Sequence, residues 1–215
     1  MNIFDCMIKN IIFDFGGVLL NIDFQKSIDA FEALGFANFD ELFSQFKADE
    51  LFMKLEVGRV SEDDFFEQLK EVAPEKVEIH QLKNAWNAML LSYRKESLEF
   101  LNELSRQYNL YLLSNTNAIH YTAFSEMLRR ETKYDNLESF FTKAFYSHEI
   151  KMRKPDKEIY EYVIRDARIN PEETLFIDDT HTNFEEAEKL GIKTHLLLPD
   201  ERIEKIDFGA FWLNV

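Results

Sequence analysis

The chain is poor in cysteine, in long apolar runs and in positive charge. Its 215 residues include one cysteine, Cys6, so no internal disulfide can form, which fits a reducing compartment. No Cys/His cluster has the spacing of a zinc site. No run approaches the ~18 apolar residues of a membrane-spanning helix. The first residues, MNIFDCMIKN, carry Asp5 and lack the apolar stretch of a signal peptide. A soluble, cytoplasmic protein is the expectation, as a monomer or weak homodimer. Acids outnumber bases 40 to 25, for a formal charge of −15. Such a chain is repelled by phosphate backbones and anionic lipid, so nucleic acid and membrane surfaces are not expected partners. To hold even one phosphate it needs a local cation, amide donors or a metal, because its overall field works against it. Tryptophan is scarce, 2 against 21 phenylalanines, and with 46% hydrophobic residues the phenylalanines read as core filling.

Four short stretches do carry chemistry: IIFDFGGVL around Asp14, LYLLSNTN around Ser114, MRKPDKEIY around Lys154, and TLFIDDTHTN around Asp178 and Asp179. Three of them end an apolar run on a polar residue. Buried parallel strands do this when they deliver side chains to a crevice at their carboxyl ends. After residue 93 strands and helices alternate: helix 94–107, strand 110–114, helix 117–130, strand 143–147, helix 156–168, strand 174–178, helix 182–190 and strand 194–198. Strands separated by helices imply right-handed crossovers and a parallel sheet. Between residues 22 and 92 the pattern is helical throughout, running through FDELFSQFKADELFMKLE and ending in HQLKNAWNAMLLSY. Ser61, with Asp64 three residues on, marks a helix start inside this block. The expected architecture is α/β: a doubly wound, Rossmann-like parallel-sheet core (1–21 and 93–215) with an all-helical insertion (22–92) that roofs the crevice.

The candidate residues divide by chemistry. Asp14 suits a nucleophile that attacks phosphorus and becomes an aspartyl phosphate; a turn or cap is the structural alternative. Adjacent carboxylates at Asp178 and Asp179 are costly if unpaired, and a metal with oxygen ligands, Mg²⁺, is the simplest remedy. A helix cap is the alternative for one of them, and Asn183 is a candidate to orient the pair. Lys154 supplies a point charge for carboxylate and phosphate, a role Arg153 competes for. Ser114, Asn115 and Thr116 offer hydroxyl, amide and backbone donors to phosphate oxygens at a helix start. Gly58-Arg59-Val60-Ser61 forms a turn able to dip into the crevice, with Arg59 as a possible substrate contact. Trp86 and the phenylalanines of the insertion (Phe24, Phe31, Phe43, Phe52, Phe65, Phe66) read as core.

These motifs resemble the haloacid dehalogenase superfamily over nearly the whole chain, and the insertion resembles its C1-type cap. More narrowly, DFGGVLLNIDF, SNTNAIH, MRKP and FIDD resemble the branch of α-D-glucose-1-phosphate phosphatase-like and epoxide-hydrolase N-terminal-like proteins. The resemblance implies a Mg²⁺-dependent phosphatase for a small phosphorylated metabolite, such as a hexose 1-phosphate. It makes Asp14 the nucleophile and a metal ligand, joined by the Gly16 carbonyl, Asp179 and Asp178, with Ser114 and Lys154 on the phosphate. Alternatives within the superfamily are a phosphomutase or a haloacid dehalogenase; an alternative of another functional class is a binding or regulatory protein that keeps the fold and is catalytically weak because of Gly16. Family phosphatases usually carry an acid/base Asp where this chain has Gly16. A glycine donates no proton, and loss of a general acid typically costs ~10²–10⁴ in rate. Asp23, His120 or a metal-bound water is the candidate replacement. Lys151 stands where the branch usually has glycine, and a slightly different loop shape is expected there.

Overall fold

The computed structural model describes residues 7–37, 39 and 51–212. Phe43 and most of the helix expected over 39–56 lie outside the described residues. Five parallel strands form the central sheet: β1 (Asn10–Phe13), β4 (Asn109–Ser114), β5 (Lys143–Tyr146), β6 (Thr174–Asp178) and β7 (Lys193–Leu196), in the order β5-β4-β1-β6-β7. The chain lays β4 and β5 to one side of β1, then crosses to lay β6 and β7 on the other. The switch therefore falls at β1, flanked by β4 and β6. That is where open α/β sheets bind ligands.

The apolar runs are continuous because both faces of the sheet are covered. Alternate residues of each strand enter different cores. Ile11, Phe13, Leu110, Leu112, Leu175 and Ile177 pack on one face. Ile12, Tyr111, Leu113 and Phe176 pack on the other, against helix residues Ile159, Tyr160 and Val163. The C-terminal aromatic stretch folds back on the body: Phe208 is buried and faces Phe100 and Tyr108.

The block between β1 and β4 opens on strand β2 (Leu20–Ile22) and helix α1 (Phe24–Ala33). Helices α2 (Leu51–Glu56), α3 (Glu62–Glu71) and α4 (Ile79–Asn87) follow. Ser61 caps α3 as expected, its hydroxyl accepting from the Asp64 N–H at 3.1 Å. The last helix is shorter than the sequence pattern suggests. It stops at Asn87, and residues 90–93 form a strand, β3 (Leu90–Tyr93), antiparallel to β2. Pairing decides this. Asp23 N–H donates to the Met89 carbonyl at 2.9 Å and Arg94 N–H to the Leu19 carbonyl at 3.0 Å, so entry and exit of the block are tied together. The block keeps its own apolar cluster, including Phe31, Phe52, Phe65, Phe66 and Trp86, into which Ile119 of the core inserts.

After β3 come α5 (Lys95–Leu104), α6 (Ala118–Glu131), the short α7 (Ser147–Ile150), α8 (Lys157–Ala167) and α9 (Glu185–Lys189). The single helix expected over 182–190 is a 3₁₀ turn at His181–Asn183 followed by the brief α9, which turns Asn183 inward. Gly191, at φ +90°, ends it. Among the described residues no helix is long and apolar enough to cross a membrane.

Candidate active site

Asp14 leaves the end of β1, its N–H still bonded to the Ile177 carbonyl of β6 at 2.8 Å. The chain then turns tightly, the Phe15 carbonyl accepting from the N–H groups of Val18, Leu19 and Leu20. Gly17 sits at φ +71° because nothing larger fits: a Cβ there would lie 1.9 Å from an Asp179 oxygen. Gly16 lines the crevice, and its carbonyl takes no part in the bonds that close this turn.

Opposite, Lys154 is buried to 2% exposure between two carboxylates. Its Nζ lies 2.7 Å from Oδ1 of Asp14 and 2.6 Å from Oδ2 of Asp178, and 5.3 Å from the Phe176 ring centre. Burial alone would lower this ammonium, but the two carboxylates outweigh it and hold it above the usual lysine range. Asp14 responds the other way. Its carboxyl is raised to about 7, by burial first and by Asp178 and Asp179, against the pull of Lys154. Asp179 is raised as well, by desolvation and by Asp178.

Asp178 serves two of the roles the sequence left open. One oxygen caps the following turn, accepting from Thr180 N–H at 2.8 Å; the other meets Lys154 and accepts from the Asn183 amide at 2.9 Å. Tyr160 in α8 fixes that segment by donating to the Asn183 carbonyl at 2.6 Å. Asp14, Asp178 and Asp179 thus bring one oxygen each within 4.8 Å of one another. Three carboxylates against one ammonium leave two negative charges, the amount one divalent cation carries. The donor set is all oxygen, and the carboxyls of Asp14 and Asp179 are raised first by burial and then by the neighbouring carboxylates, a cost that a cation among them would offset. These residues fit Mg²⁺.

The crevice above them encloses about 450 Å³ between the sheet and the helical block. Ser114, buried at the end of β4, and Asn115 both line it. The Asn115 amide is occupied, however: it donates to the Lys154 carbonyl and accepts from the Lys154 N–H, both at 2.9 Å. Its side chain therefore positions the lysine. Helix α6 starts later than expected, at Ala118 with Asn117 as its cap, and Thr116 N–H is bonded to Ser147 instead.

Neither candidate for the missing acid is placed as one. Asp23 caps α1, accepting from Gln25 N–H at 3.0 Å, and does not line the crevice. His120 does line it, but both ring nitrogens are engaged. Nε2 lies 3.2 Å from the Trp86 carbonyl, which can only accept, so that nitrogen carries the proton; Nδ1 then accepts from the Asn117 amide at 3.2 Å. Burial pushes the imidazolium down to about 4, only partly offset by the Trp86 carbonyl, and the ring stacks on Trp86. It is a neutral junction between block and core.

Three further expectations change. Arg59 is exposed and away from the crevice; the residues that turn toward it are Glu56 and Arg153, paired at 3.1 Å. The 58–61 turn was visible in the sequence, but nothing in the pattern singled out Glu56. Lys151 keeps the left-handed conformation (φ +63°) where a different loop shape was expected, and its Nζ bonds the His148 and Gly58 carbonyls. Phe24, read as core, is 57% exposed at the crevice rim.

Residues 8–191 match the family described as haloacid dehalogenase-like hydrolase, and the chain belongs to it. It is 35% identical to a D-ribitol-5-phosphate phosphatase of Bacteroides thetaiotaomicron, over 87% of this chain and 91% of the relative. A sesquiterpene phosphatase of Aspergillus oryzae is 29% identical, over 86% of this chain and 87% of the relative. Among solved structures, a HAD family enzyme from Bacteroides thetaiotaomicron in complex with magnesium and inorganic phosphate superposes with a TM-score of 0.82 at 36% identity, covering 91% of this chain and 97% of that one.

Proposed function

We propose that the protein is a Mg²⁺-dependent phosphatase that hydrolyses a small phosphorylated metabolite, a polyol or sugar monophosphate, with Asp14 as nucleophile. The observation that carries this reading is the convergence of Asp14, Asp178 and Asp179 at the sheet's switch point, with Lys154 buried between two of them. Asp14, Asp178, Asp179 and the Gly16 carbonyl would hold the cation, which supplies positive charge where two anionic groups must meet. Lys154 aims the Asp14 carboxylate and shares its charge with the incoming phosphoryl group. An Asp14 oxygen attacks phosphorus as the bond to the leaving oxygen breaks; water then cleaves the aspartyl phosphate, releasing phosphate and restoring the carboxylate. Ser114, at the end of β4, offers its hydroxyl to a phosphate oxygen.

The relative that acts on ribitol 5-phosphate supports an open-chain polyol or sugar phosphate. The two phosphatase relatives above do not single out the hexose 1-phosphate expected from the sequence. A second reading, an isoprenoid monophosphate, is favoured by the apolar crevice wall of Phe24, Phe52, Trp86 and Met89 and by the sesquiterpene phosphatase relative. Phosphate release from ribitol 5-phosphate, glucose 1-phosphate, farnesyl phosphate and an activated aryl phosphate, with Mg²⁺ and with EDTA, separates these. The first reading requires turnover that disappears in EDTA and in Asp14→Asn, and that prefers the hydroxylated substrates. Turnover surviving in EDTA overturns the metal assignment, and a preference for farnesyl phosphate selects the second reading.

A further inference from the structure

The crevice holds a second pair of opposite charges, outside the aspartate–lysine cluster. Glu56 ends α2, and Arg153 immediately precedes Lys154. Arg153 Nη2 lies 3.1 Å from Glu56 Oε2, with side chains 26% and 31% exposed, and both residues line the crevice. The pair is seated by its neighbours. Two residues after Glu56, Gly58 (φ +58°) packs so closely on the core that a Cβ there would fall 2.2 Å from the His148 carbonyl oxygen. Lys151 Nζ then joins the Gly58 carbonyl (2.8 Å) to the His148 carbonyl (2.9 Å), pinning the turn beside the segment that carries Arg153.

Among the described residues, the ionic side chains that line the crevice are Asp14, Glu56 and Asp179 against Arg153 and Lys154. Lys154 is already met by Asp14 and Asp178, and Arg153 by Glu56. A second anionic group on a substrate would have to displace Glu56 from Arg153 and would then lie beside a carboxylate, a repulsive arrangement. Hydroxyl groups meet no such conflict. They donate to the Glu56 carboxylate and accept from guanidinium N–H groups not used by it. We propose that Glu56 and Arg153 determine specificity, admitting substrates with one phosphoryl group on an uncharged, hydroxyl-bearing chain and rejecting those with a second anionic group. This deepens the phosphatase reading above and rests on it.

A matched pair of compounds tests the proposal: a hexitol 6-phosphate and 6-phosphogluconate, which differ at the far carbon in hydroxymethyl against carboxylate. Each is measured as a substrate and as a competitive inhibitor of aryl phosphate turnover in Mg²⁺. The wild-type protein is expected to bind the hexitol phosphate about tenfold more tightly or better. Glu56→Gln should narrow that ratio about fivefold, mainly through tighter binding of 6-phosphogluconate, and Arg153→Gln should widen it. A purely structural role would move both compounds together. Equal inhibition constants in the wild type, or a ratio unmoved by both substitutions, overturns the proposal. If neither compound is hydrolysed while the aryl phosphate is, the polyol reading fails, and the inhibition ratio still decides the role of the pair.

Discussion

Replacing Lys154 by methionine keeps the unbranched apolar stem, one atom shorter, and removes its charge. The structure sets the consequence. Lys154 is 2% exposed and lies within 2.7 Å of Asp14 and 2.6 Å of Asp178, with Asp178 fully buried. Breaking a buried ion pair from one side typically costs about 3–5 kcal/mol, because the remaining charge loses its partner without regaining water. Here Asp178 is left charged without its partner and Asp14 must take up a proton, so a loss near the upper end is expected for the metal-free protein at pH 8. The loss should depend on pH in a defined way. In the wild type Asp14 takes a proton below about 7, well above its ordinary 3.8. Without the lysine it should hold that proton to higher pH. Between pH 4 and 7 both native forms keep it, and the difference between them is flat. Above pH 7 only the variant still binds it, and the unfolded chain has lost it, so the difference grows by about 1.4 kcal/mol per pH unit. Urea unfolding in EDTA from pH 5 to 9 measures this. Asp178→Asn in the same background should recover part of the loss, because it removes one stranded charge. A Lys154→Met protein within 1 kcal/mol (about the median for an exposed pair) of wild type at pH 8 would refute the reasoning, as would a double variant no more stable than the single one.

Two other substitutions probe the same centre. Gly17→Ala adds a Cβ 1.9 Å from Asp179 Oδ2 at φ +71°; it should cost about 1–2 kcal/mol for the left-handed conformation and, by displacing Asp179, raise the Mg²⁺ concentration for half-maximal turnover about 10- to 100-fold. A Gly17→Ala protein with the Mg²⁺ dependence of wild type would contradict the placement of Asp179 against this turn. His120 is pushed down to about 4 from 6.5, so between those pH values the unfolded chain binds a proton that the native state refuses, and stability falls as pH falls. That contribution amounts to about 1.4 kcal/mol per pH unit and about 3 kcal/mol in total. Subtracting the unfolding free energies of His120→Gln from those of wild type across pH 4–6.5 should reveal that slope, and turnover at neutral pH should drop less than about tenfold; a drop of ~10²–10⁴ would restore His120 as general acid.

How much of this was legible in the chain follows from what local pattern can encode. The strands bearing Asp14, Ser114 and Asp178 announce themselves because a parallel strand buried on both faces must be apolar throughout and can turn polar only where it leaves the sheet. Their convergence follows from handed crossovers, so the central cluster was readable before any coordinate. Strand β3 was not. Met89 to Tyr93 continues an apolar helix without a Gly or Pro, and periodicity cannot separate a short apolar strand from the end of a buried helix. Only pairing with Leu20–Ile22, some seventy positions away, resolves it. Lys151 failed for the opposite reason. The rule against positive φ is a local cost of about 1–2 kcal/mol, and a lysine long enough to reach two carbonyls offsets it non-locally.

The missing acid joins these points to the chemistry. A low-pKa anomeric leaving group would have excused Gly16, but a polyol phosphate leaves as an alkoxide and needs a proton. Asp23 is committed to a helix cap and His120 to the Trp86 carbonyl. The proton is then left to water admitted into the crevice, and its delivery depends on how the helical block sits over the sheet. Among the described residues, Lys151 to the Gly58 carbonyl and Arg153 to Glu56 tie the block to the segment that carries Lys154. On the specificity proposal above, the elements that would choose the leaving group would also govern access of the water that protonates it. Substitutions at Glu56 should consequently change kcat for a polyol phosphate more than for an aryl phosphate, whose leaving oxygen needs no proton.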